Sequence, residues 1–226
     1  MYIVVLTIIS ILIAWIFFQS REREQERTEN FKKMAEKNGY SYKETSPGFI
    51  RRLRRFKFFS QGQNRRVANV ITGNFGDFEF KVADYSFATG FSHSAQAHFY
   101  TICLIHDHTM NLPHFFLRHE DNPYDYLGKL FGGQDINFAE DPAFSEAFVL
   151  QGDDEIDLKY LFNAKTRKIM MKYAGSCSQL EGVGNTLMLH RGGGVWAATV
   201  PALIEEAAEI CRHLKRTVEI EGLDRR

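Results

Sequence analysis

The stretch Val67–Phe87, VANVITGNFGDFEFKVADYSF, decides the fold class of this chain. Two runs rich in β-branched and aromatic residues flank a turn at 74–77, a pattern typical of a β-hairpin. Because neighbouring side chains of a strand point to opposite faces, the second run has two different sides. One side carries Phe78, Phe80, Val82 and Asp84, and the other carries Glu79, Lys81 and Ala83. The stretch therefore predicts two antiparallel strands around a turn.

Strand and helix patterns continue towards the C-terminus. Further strands are predicted at 99–107, 115–120 and 147–152, with a hairpin around Gly184 and Asn185. Helices are predicted at 122–131, after Asp153 and Asp154, from Asn163 to Tyr173, and at 201–216. Asp and Asn side chains favour helix N-caps, which sets the start of two of these helices. The expected fold class is α+β: an N-terminal transmembrane helix followed by an antiparallel sheet domain with flanking helices.

Composition excludes several classes of protein. The chain has 226 residues, of which 44% are hydrophobic and 25% charged, and these values are ordinary for a folded protein. They exclude a mainly disordered chain, a collagen-like chain and a polytopic membrane protein. The 28 basic and 28 acidic residues cancel, so net charge does not indicate a nucleic-acid binder. Three cysteines are too few for a disulfide-stapled fold.

The N-terminal run Tyr2–Phe18 contains no charged side chain. As a helix it would span roughly 25 Å, at about 1.5 Å per residue, which is the short end of a bilayer crossing. No basic residue precedes the run, several follow it, and basic flanks stay in the cytoplasm. The pattern predicts a single-pass anchor in the inner (plasma) membrane, with the N-terminus outside and the C-terminal domain in the cytoplasm.

These features suggest three segments. Residues 1–20 are the predicted transmembrane anchor, and residues 21–39 are a charged juxtamembrane helix that ends at Gly39, a natural C-cap. Residues 40–226 are the predicted cytoplasmic α+β domain.

Residues 49–66, called here the basic segment, interleave phenylalanines with basic residues and contain no acid. The basic residues are Arg51, Arg52, Arg54, Arg55, Lys57, Arg65 and Arg66. One interpretation is contact with anionic lipid headgroups, with the phenylalanines entering the interface. RNA or single-stranded DNA would also suit a basic groove with aromatic platforms. The structural alternative is a helix–strand junction whose phenylalanines are core and whose arginines are solvated. Membrane lipid is the expected partner, and nucleic acid is not.

Six of the eight histidines lie between His93 and His119. In a strand, His106 and His108 project to the same face, as two metal ligands could, and His114 or His119 on a neighbouring strand could complete the site. Against this, the chain has no His-Glu-x-x-His or Cys-x-x-Cys pattern. Histidines on an exposed sheet face are the alternative, and no metal or other cofactor is predicted.

No catalytic constellation is recognisable. Ser92 lies beside His93, but the surrounding residues lack the second glycine of a nucleophile elbow. Cys103 is predicted in a strand core and Cys211 on the core face of the last helix, where thiols are usually inert. No catalytic residue is therefore assigned, and a non-enzymatic protein is favoured.

The order of these features resembles a family of uncharacterised bacterial proteins with a single membrane span, a domain of unknown function. The resemblance rests on VADYSFATG, LPHFFLRHE and LFGGQDINFAEDPAFSEAFVLQGDDE, and on the hairpin before the final helix. It covers most of residues 40–216 and implies no catalytic residue.

Together these observations favour a membrane-tethered cytoplasmic interaction or accessory module with a protein partner in the membrane. Two alternatives stay open. One is a metal-assisted hydrolase that uses His106 and His108. The other is a domain that binds anionic lipid or nucleic acid through the patch from Arg51 to Arg66.

Overall fold

The computed structural model describes residues 2–90, 95–120 and 135–223, and an antiparallel sheet lies at its centre. Its strands are β1 (Ser41–Thr45), β2 (Gln63–Phe75), β3 (Phe78–Thr89), β4 (Gln96–His106), β5 (Leu112–His119), β6 (Phe148–Gly152), β7 (Gln179–Gly184) and β8 (Thr186–His190). Within the described residues these eight strands form one sheet in the order β1-β2-β3-β4-β8-β7-β5-β6. The predicted α+β class, an antiparallel sheet with flanking helices, is confirmed.

The hairpin predicted at 67–87 is present as β2 and β3, which pair through the short turn between Phe75 and Phe78. The predicted alternation along β3 also holds. Phe80 and Val82 are buried in the larger core, whereas Glu79 on the opposite face is exposed. A hairpin with one apolar face is only marginally stable alone, so this face needs helices to cover it.

Helices cover that apolar face. The described helices are α1 (Tyr2–Lys37), α2 (Pro47–Leu53), α3 (Pro142–Ala147), α4 (Glu155–Leu161), α5 (Ala164–Lys172) and α6 (Val200–Glu221). Helix α6 has an apolar stripe at helical spacing, and its Leu203, Ile204 and Ala207 are fully or almost fully buried against the sheet. Phe31 and Ala35 of α1 join the same core with no exposed surface.

Side-chain caps begin two of the short helices where the sequence predicts them. Asp154 accepts a hydrogen bond from the Asp157 amide at the start of α4. Asn163 accepts hydrogen bonds from the amides of Lys165 and Thr166 at the start of α5. Such caps satisfy amide groups that have no partner within the helix. The predicted helix 122–131, together with Ser92 and His93, lies outside the described residues.

The opposite face of the sheet is covered by the basic segment. Helix α2 and the 3₁₀ turn Lys57–Ser60 lie across it and form a second, smaller core. The buried side chains from this segment are Phe49, Leu53, Phe56, Phe58 and Phe59. They pack on Tyr85, Phe87 and Tyr100 of the sheet. The phenylalanines are therefore core residues, as the structural alternative for this segment expected, and are not available to enter a lipid interface.

Helix α1 runs without a break from the apolar run at its N-terminal end into a charged C-terminal half. None of the helices in the described part of the chain combines the length and the apolar character that crossing a membrane requires. This finding contradicts the predicted transmembrane anchor and the single-pass, inner-membrane location derived from it. Over its whole length α1 combines the apolar run with a densely charged second half.

Arg27 joins α1 to the sheet through a partly buried ion pair with Asp84. Its guanidinium donates to both carboxylate oxygens of Asp84 on β3, at 2.7 and 2.8 Å, and also to Thr101 and to the Val195 carbonyl. Asp84 is 3% exposed and accepts further hydrogen bonds from Asn69 and Thr101. The sequence interpretation treated Arg27 as a positive flank of a membrane span, whereas the fold uses it as an internal partner.

Candidate functional site

An open cavity of about 230 Å³ lies between α2 and the sheet, at the edge of the second core. Its apolar wall consists of Phe49, Leu53, Phe56 and Leu104. Its polar wall consists of Arg55, Glu79, Lys81, His106 and Thr186. Among the strand-end residues that line it, Glu79 is exposed, His106 is half-buried and Thr186 is buried. This volume is below the roughly 300–1,000 Å³ of sites for drug-sized ligands, so it suits a small group.

Strand register places the polar wall. Glu79 on β3 lies directly opposite His106 on β4, and His106 lies directly opposite Thr186 on β8. Directly opposed residues of antiparallel strands share a face and have Cβ atoms about 4.5–5.5 Å apart. Lys81 and Leu104 form the next opposed pair along the same face. The sheet therefore aligns the Glu79 carboxylate, the His106 imidazole and the Thr186 hydroxyl in one row. The ammonium group of Lys81 lies beside this row.

The hydroxyl of Thr186, in this row, contacts three neighbouring side chains. It accepts a hydrogen bond from the Arg55 guanidinium, lies 3.0 Å from Nδ1 of His106, and donates to the side-chain oxygen of Asn185. A hydroxyl has one hydrogen to donate and two lone pairs to accept with. With the donation to Asn185, a lone pair of the hydroxyl faces Nδ1 of His106, an arrangement that suits the tautomer with its hydrogen on Nδ1.

The other ring nitrogen of His106, Nε2, faces a second histidine. Nε2 of His106 lies 3.3 Å from Nδ1 of His108, and the ring centroids are 4.5 Å apart. Nε2 of His108 lies 3.7 Å from a carboxylate oxygen of Glu79. Burial, together with the neighbouring His108, lowers the pKa of His106, whereas the Glu79 carboxylate acts in the opposite direction. The predicted pairing of His106 with His108 is present in the structure, and Glu79 is the third member.

His114 lies elsewhere and has a different role. Its ring contacts the carboxylates of Asp153 and Glu181, at 3.0 and 3.3 Å. Glu181 has no exposed surface and accepts hydrogen bonds from the amides of Lys57 and Phe58. This carboxylate therefore holds the 3₁₀ turn of the basic segment against the sheet. His119, the other candidate for a third ligand, packs edge-to-face against the ring of Phe148.

The ion pair of His114 should make stability depend on pH. Hydrogen bonding to Glu181, and then to Asp153, raises the pKa of His114 above its ordinary value of 6.5. Charged His114 therefore stabilises the folded state, fully below pH 6.5, and this contribution is lost as pH rises through the folded-state pKa. In urea unfolding, we expect His114→Gln to cost about 1.5 kcal/mol more at pH 5.5 than at pH 8.5, the lower end for hydrogen bonds to charged groups. A cost that is equal at both pH values would contradict this role.

The basic residues of the segment occupy different environments. The side chains of Arg51, Arg54, Arg55 and Arg66 are exposed, and that of Arg55 also lines the cavity. Arg65 donates to the carbonyls of Ser60, Gln61 and Gly62, so it closes the turn. Lys57 is partly buried, and the Arg52 side chain lies outside the described part of the structure. The contact of these seven residues with lipid or phosphate stays a prediction.

The cysteines do not form a reactive site. Cys103, Cys177 and Cys211 are all buried. Burial raises the pKa of Cys211 to about 12 and raises the pKa of the other two thiols as well. Because the thiolate is the reactive form, these groups are held in the inert state.

Sequence reasoning missed Glu79, Lys81 and Thr186 as members of the cavity. The alternation along β3 was enough to place Glu79 and Lys81 on the face opposite the core. Nothing in the sequence showed that β8 would lie beside β4, so Thr186 could not be found.

Comparisons with known proteins identify a shared fold. No protein-family model matches the chain, and no curated protein matches it. Among solved structures, the mycobacterial trehalose monomycolate transport factor A, TtfA, is similar, with a TM-score of 0.55 and 10% sequence identity. The similarity covers 85% of this chain and 94% of the TtfA chain. At this identity the likeness concerns the fold, an antiparallel sheet with flanking helices.

Proposed function

We propose that this protein is a non-enzymatic accessory protein that binds an anionic amphiphile in the cavity beneath α2. The observation that carries the proposal is the cavity itself, in which an apolar wall meets the cationic side chains of Arg55 and Lys81. Binding pockets are typically apolar, with a few placed polar groups that orient the ligand. The ligand would place a phosphate or carboxylate beside the two cations and a short apolar portion against Phe49, Leu53 and Phe56.

The charge pattern around the cavity supports an anionic ligand. Exposed Arg51 and Arg54 lie on the segment that covers the cavity. Basic residues near an anionic lipid surface contribute about 1 kcal/mol each, which favours approach without setting the binding geometry. Arg55 differs because Thr186 and Asn185 accept hydrogen bonds from its guanidinium and hold it at the cavity. The proposal therefore separates general attraction by Arg51 from specific contact by Arg55.

The structural neighbour agrees with an accessory, lipid-related role. TtfA is a trehalose monomycolate transport factor, and its chain aligns with this one over most of both lengths. The cavity is smaller than the site of a whole lipid would be, so we expect it to hold a headgroup and its first apolar segment. The protein partner and the family membership suggested by the sequence stay predictions.

The test measures binding of octyl phosphate to the full chain by isothermal titration calorimetry. We expect Arg55→Gln to weaken binding about tenfold or more, since hydrogen bonds to charged groups contribute about 1.5–3 kcal/mol. Arg51→Gln is the matched control, because it removes the same charge from the same segment. It should weaken binding by no more than about fivefold, the effect of one basic residue near an anionic group.

Three further ligands identify the source of the recognised group. Binding of inorganic phosphate as tight as that of octyl phosphate would make a free anion the ligand and contradict the amphiphile. Octyl glucoside tests the apolar wall without charge and should bind more weakly than octyl phosphate. Vesicles of phosphatidylcholine with and without phosphatidylglycerol test a membrane source. Equal losses for Arg51→Gln and Arg55→Gln would reject the cavity as the site.

A further inference from the structure

We propose that Glu79, His106 and His108 form a binding site for a divalent transition-metal ion of the zinc class, at the rim of the α2 cavity. One ligand atom from each of these residues lies within 4.8 Å of the other two. The proposal does not depend on binding of an amphiphile, because it concerns the three side chains and the metal alone.

The backbone places the three ligands without strain. Glu79 and His106 are directly opposed across β3 and β4. His108 follows two residues after His106, beyond the end of β4, and its ring packs against that of His106. Two imidazoles and a carboxylate are a ligand set that zinc uses in sites with one open coordination position. The same set is known for iron(II), so the metal is assigned by class.

The spacing of the two histidine nitrogens fits a metal. With zinc–nitrogen bonds of about 2.0–2.1 Å and a tetrahedral angle, two ligand nitrogens stand about 3.3 Å apart. Nε2 of His106 and Nδ1 of His108 are 3.3 Å apart. The carboxylate of Glu79 must approach further, and it can do so because its side chain is 56% exposed and that of His108 is 77% exposed.

The outer partner of His106 also matches a metal site. Metal-binding histidines usually donate their second ring N–H to a fixed acceptor, which sets the tautomer and the ring orientation. Here the hydroxyl of Thr186 lies 3.0 Å from Nδ1 of His106 and is itself held by Arg55 and Asn185, so it can serve as that acceptor. Thr186 is therefore a positioning residue, and Nε2 of His106 keeps its lone pair for the metal.

The test measures Zn²⁺ binding by the full chain without an affinity tag. We expect one saturable site per chain by calorimetry, and a visible absorption band on titration with Co²⁺ that reports nitrogen and oxygen ligands. His108→Ala should weaken binding at least tenfold, and Glu79→Gln should weaken it severalfold. Thr186→Val should weaken it about 10–100-fold, the usual effect of losing an outer partner.

The matched control is His119→Gln, which removes a histidine from β5, at a distance from the cluster in the sheet order. It should bind Zn²⁺ as the wild type does. A thermal-unfolding series adds a second readout, because a metal that binds the folded state raises the midpoint and His108→Ala should reduce that rise. Absence of saturable binding by the wild type would overturn the proposal. Unchanged affinity in both His108→Ala and Glu79→Gln would do so too, and neither outcome bears on octyl phosphate binding.

Discussion

Replacing Arg27 with methionine should lower the free energy of unfolding by about 3–5 kcal/mol, the cost of leaving a buried carboxylate without its charged partner. Asp84 is 3% exposed and accepts two of its four hydrogen bonds from Arg27. Methionine preserves most of the apolar stem, so the loss reports the charge and its hydrogen bonds. Urea unfolding followed by circular dichroism measures the change.

Arg23→Met is the matched control for this prediction. Arg23 lies one turn earlier on α1 and is exposed, with a 3.5 Å contact to Gln19. Its replacement should change stability by no more than about 0.5 kcal/mol. A double-mutant cycle with Asp84→Asn should give a coupling of about 1–3 kcal/mol, since the two residues share one network. Additive effects of Arg27→Met and Asp84→Asn would show that the pair does not join α1 to the sheet.

Phe58→Ala should also cost about 3–5 kcal/mol, because it opens a cavity in the second core. Phe58 is 1% exposed, and its ring lies 4.7–5.7 Å from the rings of Phe59, Tyr85, Tyr100 and His190. Its amide still donates to Glu181 in the variant, because that bond uses the backbone. The measured loss therefore reports packing of the aromatic ring.

Two comparisons sharpen this second test. Phe58→Leu keeps an apolar side chain and should cost less than Phe58→Ala. Trp196→Ala removes an aromatic ring that is 81% exposed, so it should change stability by about 0.5 kcal/mol or less. If Phe58→Ala were as mild as Trp196→Ala, the basic segment would not be anchored through its phenylalanines.

Local patterns were sufficient to predict many elements. The hairpin of β2 and β3, the caps at Asp154 and Asn163, and the hairpin around Gly184 follow from alternation, capping and turn chemistry within a few residues. Such signals depend on residues that are close in the sequence, so they can be recognised before the fold is known. The buried faces of β3 and α6 were predictable for the same reason.

The N-terminal run shows where a local pattern was misleading. Hydropathy over residues 2–18 predicted a membrane anchor, whereas the described helices include none that could cross a membrane. The basic segment, which was predicted to contact lipid or phosphate, likewise contains buried phenylalanines as well as exposed arginines. Composition showed phenylalanines beside arginines, but only packing decided that Phe58 and Phe59 are core while Arg51 is exposed.

The sequence by itself determined the α+β class and most strand and helix positions, and it singled out His106 and His108 as a pair. Only the tertiary structure decided that β8 and β7 lie between β4 and β5, so that strands consecutive in sequence are neighbours only from β1 to β4 on that side of the sheet. That order places Thr186 beside His106, and folding of the basic segment places Arg55 at the same point. Residues separated by more than 100 positions meet there because burial of two sheet faces, and not local propensity, sets the strand order.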